Sequence, residues 1–252
     1  MIREISHNEI DEMLELLKND VARNYFILLT LLSKIDSYDN IYGEWNNDEL
    51  TAILLQRKSK TLQFYTKGLF DIDGFVDIIS KLKYKSMISP SSYCDEFLNK
   101  GIFSTYVEAS YISKLSFKTL YKSNPHPEVT KLKIEDLGKA VELYAKVFNS
   151  HASRDIMERK ILSSRGRGFC IKQGEDIISI AQTDFEGNSS ALIVGVATDP
   201  KFQGKGLATK CLETLITELN RDLYLLYNNE EAGKLYEKLG FKVIDQVRHY
   251  KR

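Results

Sequence analysis

The residues of this 252-residue chain that are best suited to chemistry form a strand, a glycine-containing loop and a helix. The strand and loop read ALIVGVATDPKFQGKG over residues 191–206, and LATKCLETLITEL follows directly. Gly204 and Gly206 allow a ligand to approach the backbone closely. The first amides of a helix lack intrahelical partners, and the helix dipole adds positive charge at the same point. These residues therefore predict a diphosphate site, or else a simple turn into a helix.

Two other phosphate-binding patterns fit this loop poorly. A Walker loop needs a glycine at position 199 and a serine or threonine after Lys205, but the chain has Asp199 and Gly206 there. A dinucleotide-binding fingerprint needs a third glycine where Thr209 stands, and an acid at the end of the next strand, whereas Asp222 begins that strand. A nucleotide-dependent oxidoreductase is therefore disfavoured.

The loop and its surroundings resemble the GNAT superfamily of acetyl-CoA-dependent N-acetyltransferases. The phosphate loop of that family, [Q/R]-x-x-G-x-[G/A], corresponds to KFQGKG at residues 201–206, with lysine in place of the usual first residue. Residues 195–200, GVATDP, are similar to the splayed fourth strand of the family, whose backbone pairs with the pantetheine arm. Residues 229–241 contain the family's asparagine, tyrosine-bearing helix and closing Gly-Phe as N-x-x-A-x-x-L-Y-x-x-L-G-F. The resemblance covers residues 129–252.

The resemblance implies that acetyl-CoA is the co-substrate and that no metal is needed. The implied cofactor-binding residues come from the strand end, the loop, the helix start and the later asparagine: Val196, Ala197, Thr198, Gln203, Gly204, Lys205, Gly206, Leu207, Ala208, Thr209 and Asn229. Asn229 also suits a helix cap, since asparagine favours that position. The lysines of this region, Lys201, Lys205 and Lys210, either neutralise phosphates or are solvated surface.

Tyr236 is the catalytic residue that the resemblance implies. The expected reaction transfers an acetyl or other short acyl group to a primary amine by direct attack in a ternary complex. A phenol of pKa about 10 can donate a proton to a departing thiolate whose conjugate acid has a pKa of about 8.5. The alternative is that Tyr236 is only a core residue beside Leu235 and Leu239, on a helix that ends at Gly240.

The sequence does not identify a general base. Members of the family often place a carboxylate on the central strands, but residues 191–198 contain none. The nearby acids all fall in predicted turns, where solvated acids are expected: Asp184, Glu186, Asp199, Glu230 and Glu231. A water chain or an amine that is already deprotonated would serve instead. The missing strand carboxylate favours the alternative function, a non-catalytic acyl-CoA-binding regulatory module, whereas Tyr236 favours catalysis.

The order of elements that positions these residues occurs twice along the chain. After residue 129 the patterns predict a strand, two helices, a three-stranded meander over 169–197, and then helix, strand, helix and strand. The first half begins with two helices and continues with a meander over 40–66, a helix, a strand and a helix. We therefore expect an α/β fold of tandem GNAT-like domains, each with a mixed, mostly antiparallel sheet flanked by helices. The Pro-containing segment 122–127 is the predicted linker.

The first half lacks the loop and the tyrosine. Gly68 is the one glycine between Thr66 and Asp73, and alignment at the helix-ending glycines places Phe97 at the position of Tyr236. We therefore predict that residues 1–125 form a degenerate GNAT-like domain, which shapes the acceptor pocket or an interface, and that residues 126–252 form the N-acetyltransferase domain.

Composition narrows the classes of partner. Lys plus Arg and Asp plus Glu both number 35, so the formal charge of zero disfavours a nucleic-acid or anionic-membrane binder. The longest apolar run, residues 25–32, is too short to span a membrane, and the start of the chain has no secretory pattern, so we expect a cytoplasmic protein. Three scattered cysteines favour neither zinc nor disulfides. The expected partner is a small-molecule or peptide amine, and the protein is expected to be either a monomer or a homodimer.

Overall fold

The computed structural model describes residues 1–33, 37–117 and 126–252, which form two compact units. Unit 1 consists of Met1–Ile112 and Val243–Arg252, and unit 2 consists of Ser113–Lys242. The predicted linker falls largely outside the described residues. The predicted domain boundary at 125/126 stays a prediction, because residue 125 is among those not described.

Among the described residues, unit 1 contains six strands and four helices from the first part of the chain, followed by a strand from its end. The strands are β1 (Ile2–Glu4), β2 (Tyr38–Asn46), β3 (Glu49–Arg57), β4 (Thr61–Thr66), β5 (Ser86–Pro90) and β6 (Thr105–Leu115), whose last residues belong to unit 2. The helices are α1 (Ile10–Lys18), α2 (Val21–Ser33), α3 (Ile72–Lys81) and α4 (Ser91–Asn99).

Unit 2 follows the same element order. Its elements are β7 (Val129–Lys131), α5 (Leu137–Val147), α6 (Arg154–Leu162), β8 (Gly168–Gln173), β9 (Asp176–Asp184), β10 (Ser190–Thr198), α7 (Leu207–Leu219), β11 (Asp222–Tyr227) and α8 (Glu230–Lys238). The final strand, β12 (Lys242–Lys251), pairs with β5 and counts almost entirely with unit 1.

The strands of each unit pair in a mixed, mostly antiparallel arrangement. Unit 1 has the strand order β1-β2-β3-β4-β5-β12-β6, with β4 and β5 parallel. Unit 2 has the order β11-β10-β9-β8-β7, with β10 and β11 parallel, and the end of β6 lies beside β11. The predicted fold class is therefore confirmed. Strand β6 has no counterpart among the predicted elements, although its sequence TYVEASYISKL is rich in β-branched and aromatic residues.

The sheet of unit 2 carries a separate apolar core on each face. One core packs against α7 and α8 and includes Ile193, Leu215 and Tyr236. The other packs against α5 and α6 and includes Tyr144 and Met157. Strand β10 contributes to both cores, so groups on this strand can be reached by side chains from either face.

In unit 1 the parallel pair β4 and β5 corresponds to β10 and β11, and protein side chains fill the space beyond the short β4–β5 pairing. The register of β4 with β5 covers only Thr61–Leu62 and Ser86–Met87. Beyond it the Phe64 amide donates to the Ser89 hydroxyl at 2.7 Å, and the Phe64 ring packs edge-on against Phe97 at 5.0 Å. Phe97 is fully buried. This filling supports the hypothesis that unit 1 is a degenerate copy.

The described residues were compared with what a membrane span, a metal site or a disulfide would require. None of its helices is both long and apolar enough to cross a membrane. Its His, Cys, Asp and Glu side chains form no group of three or more that could hold a metal ion. Cys94, Cys170 and Cys211 are all buried thiols.

Candidate active site

The two parallel strands at the centre of unit 2 separate before they end. The register of β10 with β11 runs from Ser190↔Asp222 to Ile193↔Leu225. Val194 and the residues after it on β10 lie beyond the last pair, as does Tyr227 on β11. Ala191–Ile193 are buried, whereas Val194–Val196 are partly exposed. The strands therefore open a groove that exposes the edge of β10 where a ligand backbone could pair with it.

A β-bulge lies on β10 at this opening. On the β9 side Val194 pairs with Gln182 and Ala197 pairs with Ile180, so two residues of β10 stand opposite one of β9. Gly195 is in the left-handed region with φ +59°, which favours glycine. The bulge kinks the strand where the pairing with β11 has ended.

The predicted phosphate loop is open on its outer side. Gly204 and Gly206 have φ +76° and +73°, and a Cβ added to either would meet nothing within 4 Å. Gly206 is also the N-cap of α7, and no side chain caps the helix start. The amides of Leu207, Ala208 and Thr209 in this first turn therefore face a partly exposed surface without a side-chain acceptor. This geometry fits a diphosphate group.

Asp199 braces the strand end that leads into the loop. Its carboxylate accepts the Lys201 amide at 3.0 Å and forms an ion pair with Lys146 at 2.8 Å. The ion pair with Lys146 and the hydrogen bond from the Lys201 amide lower the pKa of Asp199. The Gln203 side chain donates back to the Thr198 carbonyl oxygen at 3.3 Å. Asp199 is therefore a structural acid rather than a free base.

Two of the three candidate lysines have partners other than a ligand. Lys205 lies over the Phe202 ring at 5.1 Å, and Lys210 forms an ion pair with Glu128 at 2.6 Å. Lys201 is exposed. The main groups that the loop offers to an anionic ligand are therefore backbone amides, and lysine side chains contribute less.

Tyr236 lies in the core on the α7 and α8 face of the sheet. Its ring packs against Tyr227 at 5.6 Å and Phe241 at 6.0 Å, and 7% of the residue is exposed. Burial, together with Tyr227, raises the pKa of Tyr236 to about 12. Val196 and Leu207 pack against the same core. Tyr236, the end of β10 and the start of α7 therefore contribute to the same core on this face of the sheet.

Asn229 forms the helix cap that its residue type favours. Its side-chain oxygen accepts the Ala232 amide at 2.7 Å at the start of α8. Asn229 is exposed, so its amide group also remains accessible from solvent. A role in cofactor binding stays a prediction.

The remaining acids divide into two groups. Asp184 is buried and ion-paired with Arg165 at 2.8 Å, and Glu186 is ion-paired with Arg167 at 2.8 Å. The segment Arg165–Gly168 is therefore a basic turn held by acids, and a Cβ on its Gly166 would collide with the Thr183 carbonyl oxygen. The other acids, Glu230 and Glu231, are exposed in the first turn of α8.

Sequence reasoning missed three polar side chains that the structure buries on α5, α6 and β9. Tyr144 and Gln182 are hydrogen-bonded to each other beside the bulge. Lys160, on α6, is 5% exposed, and burial lowers its pKa to about 8 although Asp184 and Glu186 oppose the shift. The apolar patterns of α5 and α6 predicted helices, but a pattern does not tell which polar residue will face the sheet.

Comparisons with known proteins identify this architecture. A model of the GNAT acetyltransferase family matches residues 84–250, which is more than half of the chain. A GNAT-family acetyltransferase from Colwellia psychrerythraea has a similar structure, with a TM-score of 0.71, 14% identity, and 100% of this chain and 99% of that chain covered. A GCN5-related N-acetyltransferase from Sphaerobacter thermophilus gives a TM-score of 0.62 at 14% identity, covering 100% of this chain and 95% of that one.

A tandem GNAT protein from the clavulanic acid biosynthesis pathway is similar over both halves. Its TM-score is 0.63 at 11% identity, with 100% of this chain and 98% of that chain covered. No protein with curated annotation matches the sequence. These structural similarities concern the fold, whereas the family model is a match to the sequence. The chain belongs to the GNAT acetyltransferase family.

Proposed function

We propose that unit 2 transfers an acetyl or other short acyl group from acetyl-CoA to a primary amine, by direct attack within a ternary complex. The observation that carries the proposal is the separated β10–β11 pair, which leads into an open glycine loop and the uncapped start of α7. Acetyl-CoA would supply an activated thioester. Holding thioester and amine together accounts for much of the rate enhancement that such a site can provide.

Separate parts of the site would hold separate parts of the co-substrate. The amides of Gly204–Thr209 would bind the diphosphate, because they combine unpaired donors with the positive end of the α7 dipole. The backbone of Val196–Thr198, beyond the last pair with β11, would bind the pantetheine arm. Asn229 would add a side-chain amide at the end of β11.

Tyr236 would act on the departing sulfur. A phenol with a pKa of about 12 stays protonated at neutral pH and can donate a hydrogen bond. Complete transfer of its proton to a thiolate whose conjugate acid has a pKa of about 8.5 is uphill by about 5 kcal/mol. We therefore assign Tyr236 a hydrogen bond to the developing thiolate, which stabilises the negative charge on sulfur without complete transfer of the phenol proton.

A second function, a non-catalytic acyl-CoA-binding regulatory module, is favoured by the state of the acids. Asp184, Glu186 and Asp199 are all committed to ion pairs, which leaves no buried carboxylate at the groove among the candidates. Catalysis would then need a water-mediated base or an amine that arrives unprotonated.

We propose a small-molecule or peptide amine as the acceptor, no nucleic-acid or membrane partner, and a cytoplasmic location.

The experiment that tests the function is mass spectrometry of the protein incubated with acetyl-CoA and a pooled amine library. An acetylated product together with free CoA would identify a transferase and its acceptor. Tight binding of acetyl-CoA without any product would favour the regulatory module. No binding of acetyl-CoA would contradict both functions.

The role of Tyr236 is tested with the Tyr236→Phe variant. We expect turnover to fall by roughly 10²- to 10⁴-fold while CoA binding changes little, because only the proton donor is lost. Tyr93→Phe is the matched control, since Tyr93 is a buried tyrosine of unit 1 whose hydroxyl has no hydrogen-bond partner among the described residues. Equal turnover in Tyr236→Phe and the wild type would remove the assigned role.

A further inference from the structure

A buried hydrogen-bonded chain ends on the bulge of β10. The Tyr144 hydroxyl donates to the Gly195 carbonyl oxygen at 2.7 Å, and the Gln182 side-chain amide donates to the Tyr144 hydroxyl oxygen, also at 2.7 Å. Tyr144 is 3% exposed and Gln182 is 1% exposed. Both side chains approach from the α5 and α6 face, opposite the face that contains Tyr236.

The chain of hydrogen bonds has a fixed direction. A tyrosine hydroxyl has a single proton, and the Gln182 NH₂ group already occupies the acceptor side of the Tyr144 oxygen. The phenol proton is therefore directed at the Gly195 carbonyl oxygen. A second contact of the same NH₂ group, to the Met157 sulfur at 3.3 Å, holds the amide in this orientation.

The bulge and the tyrosine fit each other closely. A Cβ built on Gly195 would lie 2.4 Å from the Tyr144 hydroxyl oxygen, so only glycine allows this approach. The next residues of the strand are Val196 and Ala197, whose backbone follows the last β11 pair. Rotation of the Gly195 peptide would therefore turn the backbone groups that the groove offers.

We propose that Tyr144 and Gln182 are positioning residues that hold the β10 bulge in the conformation that binds the pantetheine arm. This inference rests on the proposed binding of acetyl-CoA by unit 2. The two residues act through the Gly195 carbonyl oxygen and do not touch the co-substrate themselves. The phosphate loop lies after the strand, where Asp199 accepts the Lys201 amide and Gly204 and Gly206 have left-handed φ angles.

The experiment compares two ligands by isothermal titration calorimetry. Acetyl-CoA contacts both the loop and the bulge in the proposed site, whereas adenosine 3′-phosphate 5′-diphosphate lacks the pantetheine arm. We expect Tyr144→Phe to raise the Kd of acetyl-CoA roughly tenfold and to leave the Kd of the nucleotide unchanged, because one charge-neutral hydrogen bond to the bulge is lost. Gln182→Met, which removes the amide at similar length, should cause a smaller loss with the same selectivity.

Tyr38→Phe is the matched control. The Tyr38 hydroxyl donates to the Gln63 side-chain oxygen at 2.8 Å in unit 1, so this variant also breaks a buried tyrosine–glutamine bond. Both Kd values should stay at the wild-type level in this variant. The inference is overturned if Tyr144→Phe binds acetyl-CoA as the wild type does, or if it weakens both ligands equally. Failure of the wild type itself to bind acetyl-CoA would instead overturn the proposed function, and the inference with it.

Discussion

Lys160 should make the stability of unit 2 depend on pH in an unusual direction. The side chain is almost fully buried, and its ammonium group forms no ion pair among the described residues. Burial lowers its pKa from 10.5 to about 8. A shift of this size corresponds to about 3 kcal/mol at 1.36 kcal/mol per pH unit. Lys160→Met should therefore raise the free energy of unfolding at pH 7 by about 3 kcal/mol.

The sign of the pH dependence follows from proton binding. Below about pH 8 Lys160 is protonated in both the folded and the unfolded state, so the full cost of burying the charge is present. Between about pH 8 and pH 10.5 the unfolded chain binds the proton more tightly, and the stability contributed by this group rises with pH. The advantage of Lys160→Met should therefore disappear by about pH 10.5.

Urea denaturation followed by far-UV circular dichroism would measure this difference. Trp45 is the only tryptophan of the chain and belongs to unit 1, so its fluorescence identifies the transition of that unit. Lys131→Met, at an exposed lysine of unit 2, is the control and should change stability little at either pH. The reasoning fails if Lys160→Met is no more stable than the wild type at pH 7, or if its advantage persists unchanged at pH 10.5.

Variants at two further positions test the cofactor site. Gly206→Asp should weaken CoA binding roughly 100-fold, since it places a carboxylate beside the diphosphate. Gly206→Asn has the same shape without the charge and tolerates the left-handed φ, so it should bind CoA far better. Equal Kd values for the two variants in calorimetry would contradict the site. Asn229→Ala should cost about 1 kcal/mol in thermal denaturation through loss of the Ala232 cap bond. Asn229→Asp should retain that stability and yet bind acetyl-CoA more weakly, and unchanged binding would leave Asn229 with the cap alone.

Local signals in the sequence predicted the loop and its flanking helices. Glycines at 204 and 206 directly before an apolar-periodic helix indicate a helix start whatever the rest of the chain does, and the structure has that start. The asparagine cap at Asn229 depends on the same few residues. Signals of this kind are contained within one turn of chain, so a single sequence is enough to read them.

The bulge, the ion pairs and the path of the last strand could not be predicted in this way. The bulge exists only as a mismatch between β10 and β9, so the resemblance at residues 195–200 indicated a splayed strand but not the position of the bulge. Asp184 reads as a solvated turn residue until Arg165, 19 positions earlier, is placed beside it. Strand β12 pairs with β5, far away in sequence, although its alternating pattern would suit either sheet.

The two units together indicate what separates a groove from a core in this fold. In unit 1 the register of β3 with β4 runs without a shift, and Phe64 meets Phe97 beyond the short pairing with β5. In unit 2 a glycine bulge displaces the equivalent strand, and its residues stay partly exposed. Both arrangements preserve the same element order. A binding groove in this fold therefore depends on a few residues at one strand end, of which Gly195 and its partner Tyr144 are specific to unit 2.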